Sequence, residues 1–125
     1  MNTFHRGRRL RSSKALRDMV RETRLGPEDL IQPYFVVESD PDFRKPIASM
    51  PGQFQLGLNQ LAKDVGEAVD AGLKSLILFG IPVIKDPAGS QAYAENGIVQ
   101  EAIRRIKDRW PTLIVVADTC LCEYT

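Results

Sequence analysis

The sequence contains no run of about 18 apolar residues, the length that a membrane-spanning helix requires. Its arginine-rich beginning is not followed by the apolar segment of a secretory signal, so we expect neither a membrane span nor export. The chain also has a single histidine, His5, which lies far from the acidic and thiol side chains at the other end. A site built on several histidines is therefore excluded.

Cysteine is nearly as scarce, because the chain holds only Cys120 and Cys122, in a C-x-C arrangement. In an extended strand their Cα atoms would lie roughly 6.6 Å apart, near the long limit for a disulfide. Two cysteines at this spacing do not make an extracellular disulfide framework. We therefore expect free thiols and a cytoplasmic location.

Charge is balanced over the 125 residues, with a formal net charge of +1, but it is unevenly distributed. Residues 1–24 hold eight basic and two acidic residues, a balance of +6, and residues 25–125 have a balance of −5. We interpret residues 1–24 as a basic N-terminal arm, extended over residues 1–11, with a short helix behind it. Such an arm suits a clasp on another subunit or, in a nucleic-acid-binding module, a phosphate contact; a frayed terminus is the simplest alternative.

The remaining 101 residues alternate between strand and helix patterns and have the length of one domain. Alternation at this spacing predicts an α/β fold of parallel strands joined by crossover helices. The turn-rich stretch 39–57 is expected to be a long loop or a small hairpin. The predicted elements are a helix over Lys14–Thr23, strands over Leu30–Val37, Lys74–Gly80 and Leu113–Ala117, a helix over Leu58–Ala71 with Gly72 as its left-handed cap, and a helix whose apolar stripe runs from Ile98 to Trp110.

The last strand is followed at once by polar and acidic side chains, among them Asp118, Cys120, Cys122 and Glu123. The carboxyl end of a strand is where parallel α/β folds bind ligands. If the extended conformation continues beyond Ala117, Asp118 and both thiols point to the same face. This arrangement predicts half of a metal or nucleophile site.

Four interpretations of the C-x-C pair arise from the residues alone. Free cysteines are often small buried apolar residues. A catalytic zinc takes three protein ligands and an open position, and Cys120 and Cys122 provide only two of them. A nucleophilic cysteine needs a nearby base, and no histidine is close in sequence. A metal- or redox-handling C-x-C protein is the alternative that rests on the thiols by themselves.

The sequence resembles the 5-aminolevulinate dehydratase (porphobilinogen synthase) family over nearly its whole length. The closing octapeptide is the most specific part of the resemblance. The segments that carry it are Arg8-Arg9-Leu10-Arg11, Met50-Pro51-Gly52, Leu78-Phe79-Gly80, Gly89-Ser90 and Asp118-Thr119-Cys120-Leu121-Cys122-Glu123-Tyr124-Thr125.

The resemblance implies a (β/α)8 TIM barrel whose N-terminal arm embraces a neighbouring subunit, commonly in a homo-octamer. It also implies a hydro-lyase that condenses two 5-aminolevulinate molecules to porphobilinogen with loss of water, in haem and tetrapyrrole biosynthesis. Carried over to this chain, Cys120 and Cys122 are ligands of Zn²⁺, with a third cysteine following shortly after, and Asp118 is an active-site carboxylate. No nucleic acid or membrane partner is implied.

A (β/α)8 barrel needs about 250 residues, and this chain provides about three of the eight strands. We therefore expect residues 25–125 to be the N-terminal part of the barrel, ending after its third strand. The two lysines that bind substrate as Schiff bases lie later in the family's barrel, and Lys63, Lys74 and Lys85 do not match their positions. The chain alone is expected to be inactive.

Overall fold

The computed structural model describes residues 7–125. His5 and the part of the predicted arm over residues 1–6 lie outside these described residues. Within them, three α-helices accompany a five-stranded sheet. The strands are β1 (Ile31–Val37), β2 (Arg44–Pro46), β3 (Phe54–Leu56), β4 (Ser75–Ile81) and β5 (Ile114–Ala117), and the helices are α1 (Lys14–Met19), α2 (Leu58–Asp70) and α3 (Ile98–Arg109).

Strand β4 lies at the centre of the parallel part of the sheet. It pairs with β1 along its whole length and with β5 on its other side, and all three strands are parallel. Helix α2 leads into β4 and α3 leads from β4 to β5, so the chain alternates between strand and helix as predicted. The strand bounds agree with the prediction to within one residue. The fold is that of successive β/α units of a TIM barrel, with the carboxyl ends of the three strands at one edge.

The stretch over residues 39–57 forms the hairpin that the sequence left as one of two alternatives. Strands β2 and β3 are antiparallel, and β3 also pairs in parallel with β1, so that the sheet order is β2-β3-β1-β4-β5. The Arg44 guanidinium lies 3.8 Å from the centre of the Phe54 ring and binds the Asp64 carboxylate of α2 at 2.8 Å. These contacts attach the hairpin to the helix layer.

Helices α2 and α3 cover one face of the sheet and form the core with it. On β4, Leu76 and Leu78 are fully buried, and Val36 of β1 is equally inaccessible. Full burial of each such side chain contributes roughly 1.5–3 kcal/mol. The predicted cap of α2 is confirmed, since Gly72 has φ +101° and the next amide donates back to the Ala68 carbonyl at 3.0 Å.

The short helix near the N-terminus begins where it was predicted but ends earlier. The Ser13 hydroxyl accepts a hydrogen bond from the Leu16 amide at 3.1 Å and so forms the N-cap of the helix. The helix ends at Met19, four residues before the predicted Thr23. Met19 is 71% exposed, so the apolar stripe that suggested a longer helix has no core to cover among the described residues.

The face of the sheet opposite the helices is apolar but only partly covered. Phe35 and Phe79 stack on this face with ring centroids 5.3 Å apart. At its edge, Ile114 is 60% exposed, and among residues 7–125 β5 pairs with β4 alone. No helix within the described range has the length and apolar content to cross a membrane. The free edge of β5 offers unpaired backbone groups beside an apolar surface.

We expect the 125-residue chain to associate with itself through this edge, and Ile114→Lys to weaken the association at least ~tenfold, about 1.4 kcal/mol. Like charges would then face each other wherever two β5 edges pair. Analytical ultracentrifugation over a concentration series measures the effect. Val83→Lys is the control, because Val83 is 73% exposed but lies in a loop. A monomer at every concentration would contradict the expectation.

Candidate active site and metal centre

The candidate site is formed by the tail over residues 118–125, which follows β5. The Asp118 amide donates to the Leu78 carbonyl at 3.2 Å and thereby extends the strand pairing by one residue. Beyond it the chain leaves the sheet, and the Tyr124 amide donates to the Leu121 carbonyl at 2.9 Å to close a turn. The strand thus ends at Ala117, and strand alternation does not carry Asp118 and both thiols onto one face. A turn determines their arrangement instead.

This turn brings the two cysteines into contact. The sulfur atoms of Cys120 and Cys122 lie 2.7 Å apart, and both residues are exposed, free thiols. The hydrogen bond between the two thiols, desolvation and the nearby negative charges of Cys120 and Glu123 raise the pKa of the Cys122 thiol above its usual range. The two thiols therefore lie side by side, and the interpretation of both cysteines as buried apolar residues is wrong.

The tail offers two ligands to a metal ion, the thiols of Cys120 and Cys122. Within residues 7–125 no three histidine, cysteine or carboxylate side chains are grouped closely enough to hold a metal ion. Sulfur atoms that bind one tetrahedral zinc at about 2.3 Å lie about 3.8 Å apart, so the pair at 2.7 Å would have to open by about 1 Å. Because both thiols are exposed, rotation of their side chains can provide this opening. The donor set fits zinc but does not complete its coordination.

A cavity of about 340 Å³ lies between the tail and helix α3. Asp118 and Cys120 line it, together with Tyr124 and the apolar side chains of Val99 and Ile103. The structure therefore brings Asp118 and one of the two thiols to the same cavity, at the carboxyl end of β5. A carboxylate and a thiol beside apolar walls are typical of sites that bind a small polar molecule.

Tyr124 anchors the tail, and the sequence interpretation gave it no role. It is only 6% exposed, and its hydroxyl lies against Gly80 of β4. A Cβ atom at Gly80 would lie 2.5 Å from both the Tyr124 hydroxyl and the Val99 side chain, so only glycine leaves room there. Burial, with the negative charges of Asp118 and Glu123, raises the pKa of the Tyr124 hydroxyl. A glycine at the carboxyl end of a buried strand was the signal that could have indicated this close approach.

Of the three lysines that did not match the family's pattern, Lys63 and Lys74 lie away from the tail, whereas Lys85 adjoins Asp86, whose amide contacts the tail. Lys63 is on α2, Lys74 precedes the amino end of β4, and Lys85 is an exposed residue of the loop after β4. The Lys74 carbonyl accepts from the Ile114 amide at 3.0 Å, so it lies at the beginning of β5, opposite the candidate site. No lysine is among the residues that line the cavity.

Parallel β/α units whose strands end at one polar edge place the chain in the α/β class, in which ligands bind at the carboxyl ends of the strands. Comparison with known proteins gives the particular family. The chain belongs to the delta-aminolevulinic acid dehydratase family, whose model matches residues 4–125.

Curated relatives and a solved structure agree with this family. The chain is 54% identical over 122 residues to the delta-aminolevulinic acid dehydratase of Staphylococcus epidermidis, and 54% identical over 123 residues to that of Bacillus subtilis. These alignments cover 98% of this chain but 37% and 38% of the relatives. A crystal structure of the Toxoplasma gondii enzyme with its reaction product porphobilinogen matches with a TM-score of 0.89 and 34% identity, over 99% of this chain and 35% of the other.

We expect Gly80→Ala to lower the free energy of unfolding by ~1–3 kcal/mol, because its methyl group would displace Tyr124 or Val99. Adding Tyr124→Phe should recover part of this loss, since it removes the hydroxyl that the methyl group meets. Urea denaturation measures both effects. Gly7→Ala is the matched control, because a Cβ there meets nothing within 4 Å. Equal stability of the Gly80 and Gly7 variants would exclude the close packing of Tyr124.

Proposed function

We propose that this chain provides the first β/α units and two metal ligands of a porphobilinogen synthase. In this proposal the full-length enzyme condenses two molecules of 5-aminolevulinate to porphobilinogen, with loss of water. The observation that carries the proposal is the family match over residues 4–125. The chain spans about 37% of the length of its relatives, so the rest of the barrel supplies the remaining strands and the Schiff-base lysines.

The proposed cofactor is Zn²⁺, held by Cys120, Cys122 and a third cysteine outside this chain. The contact between two exposed thiols at a strand's carboxyl end supports this ligand set. A catalytic zinc bound there would supply a Lewis acid for a carbonyl oxygen of the substrate.

Asp118 is proposed as the carboxylate that holds the amino group of a substrate molecule. It lines the same cavity as Cys120, so a small molecule there can contact the carboxylate and approach the metal ligands together. Substrate ammonium groups bind carboxylates through charge-assisted hydrogen bonds. The apolar side chains of α3 exclude water from the opposite wall of the cavity.

Subunit contacts and location are also parts of the proposal. Residues 1–11 are proposed to clasp a neighbouring subunit of a homo-octamer. Their basic charge, opposite in sign to that of residues 25–125, supports this role. Free thiols at the surface support a reducing cytoplasm as the location.

The first expected outcome concerns the metal. The full-length enzyme should bind zinc through Cys120 and Cys122, and Cys120→Ser should remove most of this binding, because a hydroxyl is a poor substitute for a thiolate. The 125-residue chain should bind zinc far more weakly. Competition with a chromophoric chelator measures the affinities, and Thr119→Ser, between Asp118 and Cys120, is the matched control. Equal zinc affinity of the 125-residue chain and the full-length enzyme would refute the claim that the chain holds only part of the zinc site. Reversible thiol oxidation without zinc uptake would favour the redox alternative.

The second expected outcome concerns activity. The 125-residue chain should form no porphobilinogen from 5-aminolevulinate and zinc, because Schiff-base chemistry needs a lysine whose amine is held neutral. None of Lys63, Lys74 and Lys85 lines the cavity beside Asp118. A colorimetric pyrrole assay measures turnover, with the full-length enzyme as the positive control. Turnover by the chain alone would overturn the assignment of the chemistry to lysines elsewhere in the barrel.

A further inference from the structure

We propose that Asp86 is a positioning residue for the metal site, acting through the turn that it organises and through Tyr124. This inference rests on the proposed function, because it assigns to Asp86 the task of holding Cys120 and Cys122 in place. Asp86 lies in the loop between β4 and α3, on a different segment of the chain from the thiols.

The carboxylate of Asp86 closes the turn over residues 86–90. One of its oxygens accepts from the Ala88 amide at 2.9 Å, and both accept from the Ser90 amide at 3.3 Å. The Ser90 hydroxyl donates to the same carboxylate. These hydrogen bonds, that from the Ser90 hydroxyl above all, lower the pKa of Asp86. The charged carboxylate thus organises the whole turn, because it accepts hydrogen bonds from two backbone amides and one hydroxyl of the turn.

This turn supports the tail that carries the thiols. The Asp86 amide donates to the Tyr124 carbonyl at 3.1 Å. On the next residues of the turn, a Cβ atom at Gly89 would lie 3.6 Å from Tyr124, 3.7 Å from Thr125 and 3.8 Å from Leu121, so the backbone of Gly89 faces the tail directly. The organised turn therefore contacts the tail along the segment that includes Cys122.

The tail is held at its two ends, and the thiols lie between them. At one end the Asp118 amide is bound to the Leu78 carbonyl, and at the other Tyr124 is bound to Asp86 and packed over Gly80. Loosening of the second end would leave Cys122 free to move relative to Cys120, so the two sulfur atoms would no longer be held within reach of one metal ion. Groups that orient metal ligands typically change metal affinity by 10–100-fold when they are replaced.

The test compares three variants of the full-length enzyme. Asp86→Ala should weaken zinc affinity by about tenfold or more. Asp86→Asn should weaken it less, since the amide oxygen still accepts hydrogen bonds from the turn. Asp40→Ala is the matched control, because Asp40 accepts from the amide two residues onward at 2.8 Å in a loop beside β2. It should leave zinc affinity unchanged. Equal affinity of the Asp86→Ala and Asp40→Ala variants would overturn the proposal.

Amide hydrogen exchange of the zinc-free enzyme gives a second readout, which does not depend on activity. Asp86→Ala should speed exchange over residues 118–125, and Asp40→Ala should not. Unchanged exchange in the tail of Asp86→Ala would also overturn the proposal. Failure of the proposed function can be distinguished from failure of the Asp86 proposal. In that case the unsubstituted enzyme would bind zinc and its tail would exchange slowly, but it would form no porphobilinogen.

Discussion

The burial of β4 between two parallel neighbours is the interaction on which the rest of the structure depends. Leu76 and Leu78 are fully buried beneath α2 and α3, while β1 and β5 pair with the strand on either side. Burial of apolar side chains away from water stabilises the fold, so β4 lies inside the sheet and beneath the helices. Its position brings the carboxyl ends of β1, β4 and β5 to one edge, where the cavity and the tail lie.

Core packing and the candidate site are connected through Gly80. This residue ends the buried face of β4 without a side chain, and Tyr124 occupies the space that remains. The anchored tyrosine leaves Cys120 and Cys122 exposed at the surface of the tail. The hydrogen bond between the thiols is the main cause of the raised pKa of Cys122, and burial is that of Tyr124; repulsion by the Glu123 carboxylate adds to both. A divalent cation would relieve this repulsion, so the electrostatics agree with a metal ligand role for the thiols.

Local patterns predicted the elements that bury an apolar stripe. Helix α2, strand β4 and helix α3 agree closely with their predicted bounds, because the period of the apolar residues is also the period of the contacts that stabilise them. The pattern was less informative for elements that cover no core or are very short. Helix α1, which covers no core among the described residues, is shorter than predicted, and strands β2 and β3, with three residues each, are too short to show a period.

The sequence by itself determined the α/β order, the strand that precedes the site, and the candidate residues Asp118, Cys120 and Cys122. These follow from residue types and from short-range periodicity, which act within a few positions of the chain. Only the tertiary structure decided that a turn, rather than a continued strand, brings the sulfur atoms together. It also decided that Asp86 and Gly80 hold Tyr124, because contacts between residues some 40 positions apart depend on how separate elements pack.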